Sequence, residues 1–510
     1  MCFWPIISSM NFAFASTALS RLDGSLSFPY PANLAKLVLR LRNSALPQSV
    51  LRQFARSSVV FLSVGVLLPW SGCATYQAKV LDQAAVDAAL APPKLEAVRI
   101  MAAKFGHPLL HSMLIDGQDG FSPDDIALMA VIASPQLRAL RDRRGVAQAQ
   151  VLQAGILPNP QLGYALDKPV GDPSLINGRN LGFSWELTSL LVRHDRQAGA
   201  KATAGALDLD IAWQEWQTAQ SARLSAFRLL ALQQRLPLVR QIESDLAETL
   251  AAIKQAVVRG HLTAIDLTAT TNLWITAQNN RFAAEQENRT ERSALNLALG
   301  LPAGAELPLK PAAVFPALLP GVTPATLLQG LEQRRLDLVA LTLGYASNEA
   351  GLRAAVKAQF PKIGLSFARA NDTSNVRTHN FGVTVDLPLF DRNQGAIAAG
   401  KATRRQLFDE YVARVAEARA QVPLIFANLA AARTQLAAAT ASLPEWEQLV
   451  AAYEKALETR NADVTAYRDA RGSLAARRLE QATLQQQVLE LEVALEIATG
   501  RPLLNLHPSP

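Results

Sequence analysis

The chain repeats itself, and any fold proposed for it must therefore contain two equivalent halves. Leu181-Gly-Phe-Ser-Trp-Glu-Leu187 faces Phe381-Gly-Val-Thr-Val-Asp-Leu387, and Gly300-Leu301-Pro302 faces Gly500-Arg501-Pro502, both at an offset of 200 residues. Arg259-Gly260-His261 falls opposite Thr459-Arg460-Asn461 at the same offset, while Pro160-Gln-Leu-Gly163 faces Pro361-Lys-Ile-Gly364 at 201. Each copy reads helix, strand, strand, long helix, turn, helix. The boundaries this implies are 123–300 for the first copy and 323–500 for the second. A proline-rich connector over 301–322 joins them, an extension over 73–122 precedes them, and a tail over 501–510 follows.

In the first copy residues 123–155 read as a helix with Ser122 or Ser134 as its cap, ended by Pro158 and Pro160. Two strands follow. Leu162, Tyr164 and Leu166 alternate with small or polar neighbours, and so do Leu181, Phe183, Trp185 and Leu187. In the second copy Ile363, Leu365 and Phe367, then Phe381, Val383, Val385 and Leu387, repeat the period of two. The intervening Lys168–Asn180 and Asn371–Asn380 read as polar loops. Such strands suit a membrane barrel, with lipid on the apolar face and water on the other. A half-buried strand of a soluble sheet has the same period.

The helices after these strands are far longer than the dozen or so residues of an ordinary domain. Residues 191–258 and 391–458 contain almost no Gly or Pro, with Pro237, Pro423 and Pro444 the interior prolines. At about 1.5 Å per residue each reaches roughly 100 Å. Leu407, Tyr411, Val415, Ala418, Val422, Ile425, Leu429, Ala432, Leu436, Ala439 and Leu443 are spaced by threes and fours, a coiled-coil seam. Ile242, Leu246, Leu250, Ile253 and Val257 carry such a seam in the first copy. Thr263 and Asp266 form a capping pair just past Gly260, so 264–299 returns antiparallel; Asn461 or Asp463 caps the equivalent 464–498.

The formal charge of +7 is uneven, because residues 1–72 hold six basic side chains and one acid. Removing that surplus of five leaves about +2 for the rest, which argues against a nucleic-acid footprint. Val59–Leu68 is an apolar core preceded by Arg52 and Arg56, the layout of a signal peptide. It ends at Trp70-Ser71-Gly72-Cys73, and small residues before a cysteine resemble a bacterial lipoprotein signal in which Cys73 is acylated, as by palmitate. Trp70 stands where a leucine is usual, so a free structural cysteine stays open. Since 72 residues exceed a signal peptide, the true start is expected near Val50 or Leu51.

Four strands cannot close a barrel with a water-filled interior, and hydrocarbon does not tolerate open edges. Three copies supply twelve strands and twelve helical segments around one lumen. At this point the chain resembles the TolC-like outer-membrane efflux proteins over almost all of residues 120–505. The resemblance rests on the duplicated element order, on Val385-Asp386-Leu-Pro-Leu-Phe-Asp-Arg-Asn-Gln-Gly395, on Gly300-Leu-Pro302 and on the lipoprotein-like start. It implies a mainly α fold with a β-barrel contribution: long antiparallel coiled-coil hairpins forming a trimeric α-barrel, and four membrane strands per chain in a shared twelve-stranded barrel. It also implies a homotrimer, anchored by lipid and held in outer-membrane lipids, that docks to a periplasmic adaptor and an inner-membrane transporter of RND type. Arg259, Gly260 and His261, with Arg460, Asn461 and Asp463, match the adaptor-contact tips. Leu162, Tyr164, Leu181, Phe183, Trp185, Leu365, Phe367, Phe381, Val383 and Val385 match the lipid-facing wall. Leu389-Phe-Asp-Arg-Asn-Gln-Gly395 looks most like members serving heavy-metal cation efflux.

No P-loop, no H-E-x-x-H, no G-x-S-x-G and no paired cysteines occur, so neither an enzyme nor a cofactor is expected. His107 and His111 have a metal-compatible spacing, but Pro108 and the lack of a third ligand leave no metal site expected. Asp386 and Asp391 read as solvated carboxylates at the barrel base. The competing class is a lipid-anchored periplasmic coiled-coil scaffold or adaptor without a pore. The two readings part on whether the apolar strand faces are open or tucked away.

Overall fold

The computed structural model describes residues 75–505, apart from 93, 111–114, 116, 118, 172–173, 311–316, 319–320 and 460–463. Residues 75–82, the described part of one contact unit, form no helix or strand and are exposed. All that follows concerns the other unit, Gln83–Pro510. It begins with two short helices, α1 (Gln83–Leu90) and α2 (Leu95–Ala103).

The single helix expected over 123–155 is two helices, α3 (Pro123–Ala133) and α4 (Pro135–Gly155). Both serines act as caps. Ser122 Oγ accepts from the Asp125 backbone N–H while Asp125 Oδ2 accepts from the Ser122 N–H, and Ser134 Oγ accepts from the Leu137 N–H. The break falls at Pro135, which has no N–H to continue the helical ladder and is preferred at a first helical position. Nearly all of α3 is buried.

Strands β1 (Gln161–Asp167) and β2 (Gly178–Glu186) lead into α5 (Thr188–Val258), 71 residues or about 105 Å long. The chain reverses at Gly260 (φ +76°) and returns along α6 (Ala264–Ala298), 35 residues, only half as far. The second copy repeats this order. Short helices α7 (Pro324–Leu328) and α8 (Leu331–Arg334) precede α9 (Leu336–Lys357), β4 (Lys362–Asn371), β5 (Arg377–Asp386), α10 (Gln394–Glu458) and α11 (Val464–Thr499). The connector is more ordered than its prolines suggest. β3 (Ala317–Leu318) pairs with β6 (Leu504–Asn505), and Phe121 bridges to Leu309.

The duplication extends to the core. Ala222 and Val422, Leu229 and Leu429, and Leu295 and Leu495 are each buried at an offset of 200, as are Ile126 and Leu327 at 201. The coiled-coil seam residues of α10 are all buried or half-buried, which is what drives so long a helix to form. Helices α6 and α11 end alike. Gly300 and Gly500 take φ +67° and +63°, and Leu301 N–H and Arg501 N–H reach back to the carbonyls of Asn296 and Glu496. A Cβ on Gly300 would lie 3.5 Å from Ala133 O, and one on Gly500 3.3 Å from the Arg335 side chain. The return helices therefore end against the starts of α4 and α9. Nearest the strands, α4 packs on α5, α5 on α9 and α9 on α10; towards the turns, α6 packs on α5, α5 on α11 and α11 on α10. Helices α5 and α10 run through both storeys.

Ion pairs join the two copies across α5. Asp195 meets Lys357 at 2.6 Å, Arg223 meets Glu496 at 2.6 Å and Arg228 meets Glu490 at 2.7 Å, while within the first copy Arg223 also meets Asp124 at 3.0 Å. The Arg223 and Glu496 side chains are almost fully buried. Glu496 Oε1 also accepts the Leu503 N–H, fixing the segment after α11, just as buried Asn296 donates to the carbonyls of Ala303 and Ala305 after α6.

Candidate membrane sheet and hairpin tip

The four long strands form one antiparallel sheet in the order β1, β2, β4, β5, so the two copies join edge to edge. Its register brings the alternating apolar residues into rows. Leu162 lies opposite Phe183, Phe183 opposite Phe367, and Phe367 opposite Phe381; Trp185 lies opposite Leu365, and Leu365 opposite Val383. The rings of Phe367 and Phe381 sit 5.0 Å apart and tilted, a favourable aromatic arrangement. Because side chains alternate strictly, all of these occupy one face. That face is uncovered: Leu162 is 75% exposed, Tyr164 65%, Phe381 78% and Val383 67%. Leu181, Phe183, Leu365, Phe367 and Val385 are also exposed, and Trp185 is half-buried.

The opposite face carries small side chains. Gly163 lies opposite Gly182, Gly182 opposite Ala368, and Ser366 opposite Gly382. A Cβ on Gly382 would lie 2.5 Å from Ser366 Oγ, so a side chain there would make the Ser366 hydroxyl turn away. Among the described residues β1 pairs only with β2 and β5 only with β4. Two edges of unused backbone donors and acceptors remain.

The sheet is taller than the apolar pattern suggests. Where residues 371–380 read as a loop, β5 already begins at Arg377, and only 372–376 turn. Asp372 Oδ1 accepts the N–H groups of Ser374 and Val376, and Asn375 takes φ +65°. Backbone pairing continues past the apolar zone because it does not depend on side-chain polarity. Arg377, Thr378, His379 and Asn380 were hidden from the alternation for that reason.

At the base, Trp185 Nε1 donates to Pro158 O at 2.8 Å, the amphipathic anchoring typical of indoles. The β2–α5 junction is tied to β4: Leu187 N–H donates to Ile363 O, and Ile363 N–H donates to Thr188 Oγ1. Among the described residues the equivalent β5–α10 junction has no such neighbour. There Leu387, Leu389 and Phe390 are 69%, 65% and 92% exposed. Their loop is nevertheless fixed, with Asn393 at φ +59° donating from Nδ2 to Ala355 O and Asp391 Oδ1 accepting the Asn393 N–H. Asp386 lies opposite Lys362.

At the far end of α5, Arg259, Gly260 and His261 are exposed at the tip of the hairpin. The turn closes through Gly260 N–H to Val257 O and His261 N–H to Ala256 O. Thr263 and Asp266 form the expected capping box, and donation from the Thr263 hydroxyl and N–H holds the Asp266 carboxyl below its ordinary range. Val258 and Ile265 flank the tip, 87% and 79% exposed. Arg460, Asn461 and Asp463 lie outside the described residues, as do Cys73 and His111. His107 is explained without a metal. It is buried, its Nε2 lies 2.9 Å from Ala212 O, and its Nδ1 accepts from the N–H groups of Leu109 and Leu110, which pins the N-terminal extension to α5. Burial lowers its pKa. Among the described residues no three His, Cys, Asp or Glu side chains converge as metal ligands.

Residues 327–501 match the family model described as outer membrane efflux protein. No curated relative matches the chain. Solved structures share the fold. A membrane protein from Pseudomonas aeruginosa is 20% identical with a TM-score of 0.63, covering 78% of this chain and 98% of its own. The outer membrane protein VceC from Vibrio cholerae is 17% identical with a TM-score of 0.60, covering 74% and 96%. The MtrE outer membrane channel of Neisseria gonorrhoeae, in its open state, is 15% identical with a TM-score of 0.62, covering 78% and 97%. The resemblance to the TolC-like outer-membrane efflux proteins thus holds, through the family model over the second copy and through the fold over most of the chain.

Proposed function

We propose that this chain is one subunit of a trimeric outer-membrane efflux channel, a passive duct that conducts small toxic solutes from the periplasm to the exterior. The observation that carries this reading is the uncovered apolar face running across all four strands, backed by a face of small residues and flanked by two unpaired edges. A pore-free scaffold would have to cover that face, since exposed apolar area of this extent in water is an aggregation liability. In a bilayer it meets acyl chains, and neighbouring copies satisfy the edges. The helices, about 100 Å long, continue the lumen across the periplasm. The test is conductance of the purified protein across planar bilayers together with a trimer that survives detergent. A non-conducting soluble monomer would remove the channel reading and favour the scaffold.

Finer assignments belong to the same proposal. Cys73 carries the lipid anchor, so Cys73→Ser abolishes acyl labelling seen by mass spectrometry while the barrel still holds the membrane. The tips at Arg259, Gly260 and His261, with Arg460, Asn461 and Asp463, dock to a periplasmic adaptor, and an RND-type inner-membrane transporter drives the cargo, heavy-metal cations being the class that the Leu389–Gly395 segment favours. Reversing charge at Arg259 and Arg460 together weakens adaptor crosslinking; undiminished crosslinking returns them to plain turn residues.

A further inference from the structure

The two copies within one chain already display one strand interface, between β2 and β4, and the free edges β5 and β1 are the repeats of those same strands. Building on the channel reading, we infer that β5 of one subunit pairs antiparallel with β1 of the next in the register of β2 on β4, setting Val385 opposite the partner subunit's Tyr164 and Gly382 opposite the partner subunit's Asp167. The copying is direct. Trp185 lies opposite Leu365 and Ser184 opposite Ser366. Moving β2 to β5 by 200 residues and β4 to β1 by 201, the offsets of the sequence repeat, turns these pairs into Val385 with Tyr164 and Thr384 with Ala165.

Three independent features agree with this register. The first is facing: every apolar side chain of β5 and β1 stays on the exposed face, whereas a slip of one residue would turn one strand over. The second is the junction. Leu187 N–H donates to Ile363 O where β2 passes into its helix; the repeated bond is from Leu387 N–H to the partner subunit's Leu162 O. It places the bare apolar stretch Leu387, Leu389 and Phe390 against a neighbour where the first copy already has one. A slip of two residues towards Leu162 would set Leu387 opposite the partner subunit's Pro160, whose nitrogen has no hydrogen to donate.

The third is closure. A path straight across the strands from Gln161 meets Ser184, then Ser366, then Gly382. In the inferred register it arrives at the partner subunit's Asp167, six residues along β1 from its start, and three subunits advance it about eighteen. With ~3.4 Å per residue and ~4.8 Å between twelve strands, that stagger tilts the strands by about 45°. Membrane barrels tilt by roughly 35–45°. A register slipped two residues towards Leu166 would advance the path by about twenty-four residues and tilt the strands by about 55°.

Disulfide crosslinking between subunits reads the register, because directly opposed Cβ atoms lie about 4.5–5.5 Å apart while residues two further along lie about 7–8 Å away. Val385→Cys is combined in one full-length chain with Leu162→Cys, Tyr164→Cys or Leu166→Cys, with each single substitution as the background control for native Cys73. Under mild oxidation the Val385→Cys/Tyr164→Cys chain gives covalent dimers and trimers that dithiothreitol reverses, at least tenfold more than either other pair. Strongest crosslinking with Leu162→Cys or Leu166→Cys overturns the register, as does a detergent-resistant trimer in which none of the three pairs forms. Loss of the trimer in unsubstituted protein defeats the channel reading instead, and the register with it.

Discussion

Phe367→Arg tests the assignment of the two sheet faces. Phe367 is the sixth of ten residues in β4, flanked by Phe183 and Phe381 on the neighbouring strands, so it stands near mid-height of the apolar band. An arginine on the lipid face near the bilayer midplane costs about 2–4 kcal/mol. The three equivalent sites of a trimer bring the total to about 6–12 kcal/mol, and the lost aromatic pair with Phe381 adds about 0.5–1.5 kcal/mol per site. Ala368→Arg is the matched comparison. It lies one residue along, half-buried on the small-residue face, and its Cβ would be 3.8 Å from one built on Gly182. Facing water, it costs about 0.5 kcal/mol and alters conductance instead. Urea unfolding in lipid vesicles, with heat dissociation of the trimer on gels, measures both. Equal destabilisation by the two arginines, or greater loss from Ala368→Arg, would refute the facing of the sheet.

Three further outcomes follow from particular contacts. Glu496→Gln leaves buried Arg223 with Asp124 as its remaining carboxylate partner and is expected to destabilise by about 1.5–3 kcal/mol, while the double variant Arg223→Met with Glu496→Leu costs less than the two single losses added, measured by a double-mutant cycle in denaturant. Gly300→Ala forces a side chain into left-handed backbone 3.5 Å from Ala133 O and lowers stability by about 1–2 kcal/mol, whereas Gly304→Ala, with nothing near its Cβ, changes little by the same assay. His107 is held neutral by burial, so the unfolded chain binds its proton first. The stability it contributes is present above its ordinary 6.5 and is lost as pH falls below that towards its lowered value, by up to about 1.4 kcal/mol per pH unit; thermal melts between pH 7.5 and 5 show this decline in the native chain and a smaller one in His107→Gln.

Much of the architecture is legible in the sequence because it is written in periods. The threes and fours of the seam and the twos of the strands persist over long windows, and the turn at Gly260 is flanked by its Thr263–Asp266 cap. Features set by geometry at one point are harder to see. Ser134 and Pro135 stop one helix and start another at the end of the apolar run 126–133, with no loop between the two to mark the break. Strand β5 outlasts its own alternation because Asp372 and Asn375 tighten the turn before it. The pairing of β3 with β6 joins residues almost 190 positions apart through four short residues that carry no periodic signal. Of the site, the apolar face was readable from alternation; its exposure, the bare Leu387–Phe390 stretch and the tethering of the β2–α5 junction to β4 required the tertiary arrangement.

The meeting of α6 with α4 at Gly300, and of α11 with α9 at Gly500, has a mechanical consequence. Neither meeting is crossed by the i to i+4 ladder that stiffens a helix, so each is a splice between two separate helices. A rotation applied at the hairpin turns winds α6 or α11 about its axis and dissipates at the splice, where no backbone hydrogen bond has to break. Only the unspliced α5 and α10 carry torque onward to the strands. Through α6 and α11 the hairpin-turn end can therefore move without the strand end, while α5 and α10 couple the two.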